Sequence, residues 1–252
     1  MSVVRAKVLT RIPKKSVVAA VCEQIEEQIF SGEFAAGRAL PPERELCRML
    51  GVSRTPIREA LARLERAGLV AVRHGGETMV LDYRETAGLD LLPRLAFDAA
   101  GRVRAEVLRA GIEMRAALAP EVARKCAQRS AAGTKFRLRE VVSEMEKVNG
   151  HSAEGLARLQ ELSMRFWALA LDGAENVAYQ LAFNSLRKVY LQMRERVAEA
   201  MADELRDIAG YRAIAKAIDG GAPEAAATAT RAHVALGVEP MMALFRSRRM
   251  KA

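Results

Sequence analysis

Aromatic residues make up only 5% of this 252-residue chain, with one tryptophan, Trp167. Histidine is scarcer, at three, and each lies in a different segment. No nucleophile stands beside a base, and neither a G-x-S-x-G turn nor a phosphate-cradling glycine loop occurs. The chain is therefore not read as an enzyme. Three cysteines, Cys22, Cys47 and Cys126, are an odd number without metal spacing. They read as reduced packing residues of a cytoplasmic protein. No run of about 18 uncharged apolar residues exists, so no membrane span is expected. The start, MSVVRAKVLTRIPKKS, lacks the apolar stretch of a secretory signal.

What is present is an ordinary globular mixture, 50% hydrophobic and 28% charged. Forty Lys and Arg face 31 Asp and Glu, a net charge of +9. The net positive charge is denser at the N-terminal end, with +4 in residues 1–80 and +5 over the remaining 172. Such an excess suits a polyanionic partner such as nucleic acid.

Residues 1–13 read as a basic arm ending at Pro13. From Lys14 the apolar residues Val17, Val21, Ile25 and Ile29 recur every four positions, the spacing of a helix face. The stretch GEFAAGRALPP reads as a loop, and PERELCRML as a short second helix with Pro42 in its first turn. Gly51-Val52-Ser53 is a three-residue turn with Ser53 as a helix N-cap. Ile57, Leu61 and Leu64 then give a third helix its buried stripe, stopped by Gly68. LVAVR and TMVLD are strand-like and are joined through His74-Gly75-Gly76-Glu77. Helix, helix, turn, helix, hairpin is the order of a winged helix-turn-helix over 14–82. Residues 83–97 read as a linker with a helical turn. The segment 98–250 reads as helices only, near 103–130, 134–149, 152–171, 175–200, 203–219 and 223–246. The expected fold class is mainly α: a three-helix winged domain with a β-hairpin, followed by an antiparallel helical bundle.

Ser53, Arg54, Thr55 and Arg58 lie at the N-terminal end of the third helix, off its apolar stripe. That end of a recognition helix reaches base edges in the major groove. Arginine can bind guanine O6 and N7 with two hydrogen bonds, while hydroxyls and free helix N–H groups suit phosphates. Arg44, opening the second helix, is placed for the DNA backbone. His74 and Gly75, at the hairpin tip, allow close approach to the sugar-phosphate.

Residues 14–82 resemble the DNA-binding domain of GntR-family bacterial regulators. The segments that carry the likeness are Leu40–Leu46 (LPPEREL), Gly51–Leu61 (GVSRTPIREAL) and Leu64–Val70 (LERAGLV). The resemblance implies a homodimer on double-stranded operator DNA, with Arg44, Arg54 and Arg58 as the main contacts and Ser53, Thr55, His74 and Gly75 supporting them. From Ala87 onward the chain resembles the FadR subfamily and its FCD type of effector-binding bundle. The matching pieces are Glu113–Ala123 (EMRAALAPEVA), Arg165–Ala170 (RFWALA) with Asn176, Tyr211–Ile214 (YRAI), and His233. Many such bundles hold a divalent metal through one Asp and three His. Here three of those positions are Ser163, Trp167 and Tyr211, and only His233 matches. One imidazole does not hold a divalent ion, so the expectation is a bundle without metal or other cofactor.

The residues also suggest a pocket on their own account. Arg115 lies within the stripe Leu108, Ile112, Ala119, Val122 and Cys126. Ser163 is in line with Leu159 and Phe166. Tyr211 lies between Ile208 and Ile218, and His233 follows Ala226 and Ala229. A buried guanidinium needs an anion. That anion is either the carboxylate of a small-molecule effector, bound by the arginine fork, or a protein acid such as Glu113 or Glu161. Trp167 either lines the effector site or fills the volume of the missing metal, and His233 is either a ligand contact or a hydrogen-bonded core residue. The expected function is a transcriptional repressor controlled by a small organic acid. The alternatives are an effector-independent DNA-binding dimer and a fatty acyl thioester sensor.

Overall fold

The computed structural model describes residues 17–73, 77–98 and 100–246. The basic arm 1–13 and the hairpin tip His74-Gly75-Gly76 lie outside them. The chain divides into two units between Gly88 and Leu89.

The first unit holds α1 (Val17–Ser31), α2 (Glu43–Leu50), α3 (Arg54–Arg66), β1 (Val70–Val72), β2 (Thr78–Val80) and α4 (Tyr83–Thr86). Val21, Ile25 and Ile29 of α1 are buried with Ile57, Ala60, Leu61 and Leu64 of α3. Val17, the first residue of the expected α1 stripe, is exposed instead. Gly51 ends α2 in the left-handed conformation at φ 64°, its N–H bonded to the Cys47 carbonyl. Ser53 follows in an extended N-cap conformation, but its hydroxyl makes no capping bond.

β1 and β2 pair antiparallel with Ala71 opposite Met79. The stretch before α2, expected as plain loop, pairs with the other side of β2. Leu40 N–H donates to the Thr78 carbonyl at 2.7 Å, and Val80 N–H to Arg38 at 2.8 Å. Leu40 is buried within this third edge, and Pro41 and Pro42, with no N–H to donate, end it.

The beginning of the expected linker packs onto the first unit. Thr86 Oγ1 donates to the Gly68 carbonyl at 2.7 Å, and the Phe30 and Tyr83 rings meet edge-to-face at 5.5 Å. Gly68 sits at φ 71°, and a Cβ there would lie 2.6 Å from the Thr86 carbonyl oxygen.

The second unit begins with a 3-10 turn (Leu89–Leu91) and α5 (Leu92–Leu95). Its bundle consists of α6 (Ala105–Arg129), α7 (Ala132–Met145), α8 (Ala153–Gly173), α9 (Val177–Gln192), α10 (Arg194–Ala200), α11 (Ala202–Arg206), α12 (Ile208–Asp219) and α13 (Pro223–Arg246). α6 is central and packs along α13, α8, α12 and α9. Leu108, Ile112, Ala119, Val122 and Cys126 are buried, as their spacing requires. Burial also pushes the Cys126 thiol up to about 11, which suits a packing residue rather than a reactive one.

Two helices expected as continuous are broken. The break between α9 and α10 falls at Met193. There the buried amide of Gln160 donates to the Arg194 carbonyl at 2.8 Å, and the Arg194 Nε donates back to it at 2.9 Å. The break between α11 and α12 falls at Asp207, whose carboxylate caps α12 by accepting from Gly210 N–H at 2.9 Å. In both places a side chain competes for backbone groups that a continuous helix would use. No helix among the described residues is long and apolar enough to cross a membrane.

Gly68→Ala should lower stability by about 2 kcal/mol or more, since it combines a left-handed backbone with a clash against main chain. Gly133→Ala, with open space around its Cβ in helix α7, should instead be neutral or stabilising by about 0.5 kcal/mol. Chemical denaturation followed by circular dichroism reads both.

Candidate DNA-reading edge and bundle cavity

Helix α3 buries Ile57, Leu61 and Leu64 and so turns its other side outward. Ser53, Arg54, Thr55 and Arg58 are all exposed there, and Arg44 is exposed on α2. The uncapped start of α3 leaves its first N–H groups facing the same edge. Among the described residues, neither Arg44 nor Arg54 is held by an acid. Arg58 differs: its Nε donates to the Glu43 carboxylate at 2.9 and 3.2 Å. The pair is exposed, so it contributes little stability, but it fixes the direction of Arg58. Glu43 was not singled out from the sequence, because an acid in the first turn of a helix already has a dipole explanation. His74 and Gly75 lie outside the described residues; on either side of that gap, Arg73 N–H donates to the Glu77 carbonyl at 2.8 Å.

In the second unit a cavity of about 200 Å³ lies among α6, α8 and α9, with contributions from α10 and α13. Arg115, Ser163 and Trp167 line it, whereas Tyr211 and His233 do not. Those two are buried behind it and are tied to it through neighbours. The Tyr211 hydroxyl donates to Ser163 Oγ at 2.6 Å, and burial pushes its pKa well above the ordinary phenol value. The Tyr211 ring meets Phe166 at 5.1 Å and the His233 ring at 4.2 Å. His233 Nδ1 lies 2.8 Å from Asp207 Oδ2. A carboxylate can only accept, so Nδ1 carries the proton. Nε2 then faces Glu204 at 3.8 Å, beyond hydrogen-bond length.

The anion required by Arg115 is Glu204, on α11. The guanidinium takes both carboxylate oxygens of this fully buried residue, Nη1 to Oε2 at 3.1 Å and Nη2 to Oε1. Burial by itself works against the arginine charge. The adjacent carboxylate more than offsets it and leaves the Arg115 pKa above its ordinary value. The expectation that Arg115 offers a free fork to an effector carboxylate is thus corrected, and neither Glu113 nor Glu161 is its partner. Glu204 fits only because Gly237 lies opposite: a Cβ there would stand 2.3 Å from Oε2.

The donor set does not fit a divalent metal. The Ser163 and Tyr211 hydroxyls are bonded to each other, the indole nitrogen of Trp167 has no lone pair to give, and His233 Nδ1 is engaged by Asp207. Sequence reasoning missed Glu204, Asp207 and the cavity wall formed by α9. Asp207 carried a signal, as an acid three residues before a helical glycine. Glu204 carried none, sitting in a charged run, Asp203 to Asp207, that looks like surface.

Arg115→Met should destabilise the bundle by about 3–5 kcal/mol, because Glu204 would be left charged and alone in the core. Adding Glu204→Met should recover most of that loss. Denaturation curves of both variants test the pair.

Comparison with known proteins agrees with this geometry. The family profile for bacterial regulatory proteins of the gntR family matches residues 17–80, and that of the FCD domain matches residues 111–236. The HTH-type transcriptional regulator Mce2R of Mycobacterium tuberculosis is 35% identical over 236 residues, 94% of this chain and 96% of its own length. The fatty acid metabolism regulator protein of Pectobacterium carotovorum is 32% identical over 171 residues, 68% of each chain. A solved structure of Lar from Listeria monocytogenes covers 95% of this chain and all of its own, at 18% identity and a TM-score of 0.52, and shows a shared fold alone. With an exposed arginine edge on its winged helix-turn-helix and an FCD domain following in sequence, the chain belongs to the GntR family of bacterial regulators and is a DNA-binding transcriptional regulator, not an enzyme.

Proposed function

We propose that this regulator is a homodimeric repressor that reads its operator through α3 and is controlled by a small organic acid in the bundle cavity. The carrying observation is that Arg44 and Arg54, beside the uncapped start of α3, have no acidic partner among the described residues. Arg54 and Arg58 take base edges, and Arg44, Ser53 and Thr55 take phosphates. His74 and Gly75 at the hairpin tip approach the sugar-phosphate. On this reading the Arg58–Glu43 pair orients Arg58 before binding, which lowers the ordering cost of the contact.

Within the bundle the effector lies against Trp167 and Ser163. Behind them, Tyr211 and His233 link the cavity wall to Asp207 and Glu204. Arg115 shapes the site and does not capture the ligand. An effector that binds one arrangement of this wall better than another shifts the population of DNA-competent protein. A second reading, an acyl thioester ligand, is favoured by the predominantly apolar cavity wall and by the fatty acid metabolism regulators among the relatives.

Arg54→Ala and Arg58→Ala should each weaken operator binding about 10- to 100-fold and relax base preference at one position, the loss expected for a bidentate arginine–guanine contact. Arg44→Ala should weaken binding evenly across sequences and flatten the salt dependence. Fluorescence anisotropy on a selected operator and its single-base variants measures all three. Unchanged base preference in both α3 variants would remove α3 from the reading role.

A further inference from the structure

With Arg115 neutralised, the cavity has a different cation for its ligand. Gln180, Asn184 and Arg187 of α9 all line it, and their spacing of four and three residues puts them on one helix face. Arg187 is exposed and, among the described residues, has no acidic partner. The remaining wall is mainly apolar and includes Met164, Met193, Met201 and Met241, side chains that repack easily around varied apolar shapes. Trp167 lines the same cavity, and its buried indole N–H has no acceptor among the described residues. A buried donor left unpaired is costly, so a ligand oxygen within reach would be favoured.

We infer that the effector is a monocarboxylate with an unbranched apolar tail, held by Arg187 at the polar strip of α9 with its tail along the methionine-rich wall. This deepens the ligand-controlled reading above and rests on it. One unpaired guanidinium matches one carboxylate, and its planar fork favours that partner. A second carboxylate at the far end would be desolvated against apolar wall without a partner, which disfavours dicarboxylates. A cavity of about 200 Å³ holds about seven water-sized groups, comparable to the tail of an eight-carbon acid.

Trp167 is the one tryptophan of the chain, so its emission reports binding in the full-length protein directly. Octanoate should change that emission saturably, and adipate should not. Arg187→Gln, at an exposed position, should raise the octanoate Kd about tenfold or more, as expected for loss of a charge-assisted contact. The same variant should leave the response to 1-octanol unchanged. Absence of a saturable response to octanoate overturns the inference, as does an Arg187→Gln variant that binds octanoate normally. Tight binding of octanoyl coenzyme A without binding of octanoate also overturns it and moves the polar contact to a thioester. Operator affinity, measured in parallel, separates the two levels. Octanoate that binds through Arg187 without altering operator affinity leaves the ligand class standing and defeats ligand control. A hydrophilic acid that releases DNA when octanoate does not bind defeats the ligand class and leaves ligand control standing.

Discussion

Glu204 has no solvent-exposed surface, and a buried carboxylate is tolerated only when it is paired and hydrogen-bonded. Arg115 meets that condition from α6, taking both oxygens. The pair joins the central helix of the bundle to the short α11, and Gly237 of α13 leaves the space in which Glu204 lies. His233 approaches from the same helix and is turned by Asp207, which also caps α12. Three helices and the start of a fourth are therefore placed by two adjacent polar pairs, Arg115 with Glu204 and His233 with Asp207. Loss of Arg115 would leave Glu204 unpaired in the core, so the first pair favours one arrangement over a continuum.

That arrangement decides what the cavity can recognise. In a bundle whose Arg115 lacked a partner, the guanidinium would be the natural anchor for an anionic ligand. Glu204 removes that option and makes this part of the wall neutral overall. The polar groups still available include those on α9, where Gln180, Asn184 and Arg187 form a strip against apolar surroundings. Tyr190, on the same helix, is held in its phenol form by burial, which pushes its pKa up to about 12. It contributes a neutral hydroxyl to the wall rather than a charge.

How far the sequence disclosed this structure depends on whether a signal was local. The α2–α3 turn was legible because Gly51 takes the left-handed conformation that ends α2 and Ser53 takes the extended conformation that starts α3, both local signals. The buried stripes of α3 and α6 were legible by period. The third edge of the winged sheet was not, since its partner is β2, about forty residues on, and its residues read as loop. The breaks at Met193 and Asp207 were missed for the same reason at the first and a different one at the second. Gln160 reaches Arg194 from another helix, whereas Asp207 is a local cap hidden in a charged run. The cluster of Arg115, Ser163, Tyr211 and His233 was recognised as polar groups on apolar faces. Its central acid, Glu204, was not, because one acid among several gives no periodic sign of burial.

The two units apply opposite solutions to the same physical problem, the exposure of arginine. In the bundle, Arg115 is buried and its charge is spent on Glu204, so it organises structure and is unavailable for recognition. On the winged domain, Arg44 and Arg54 are left without acids among the described residues, and only Arg58 is steered, by a weak exposed pair with Glu43. A strong internal partner there would have to be broken before DNA could bind, and that cost would be subtracted from affinity. A weak, solvent-screened pair orients the side chain yet yields to a base or phosphate with little loss. Arg187 follows the winged-domain pattern rather than that of its own bundle, since it is exposed and has no acidic partner among the described residues. An arginine kept in that condition on a cavity wall need break no strong internal pair to take a partner from outside the chain.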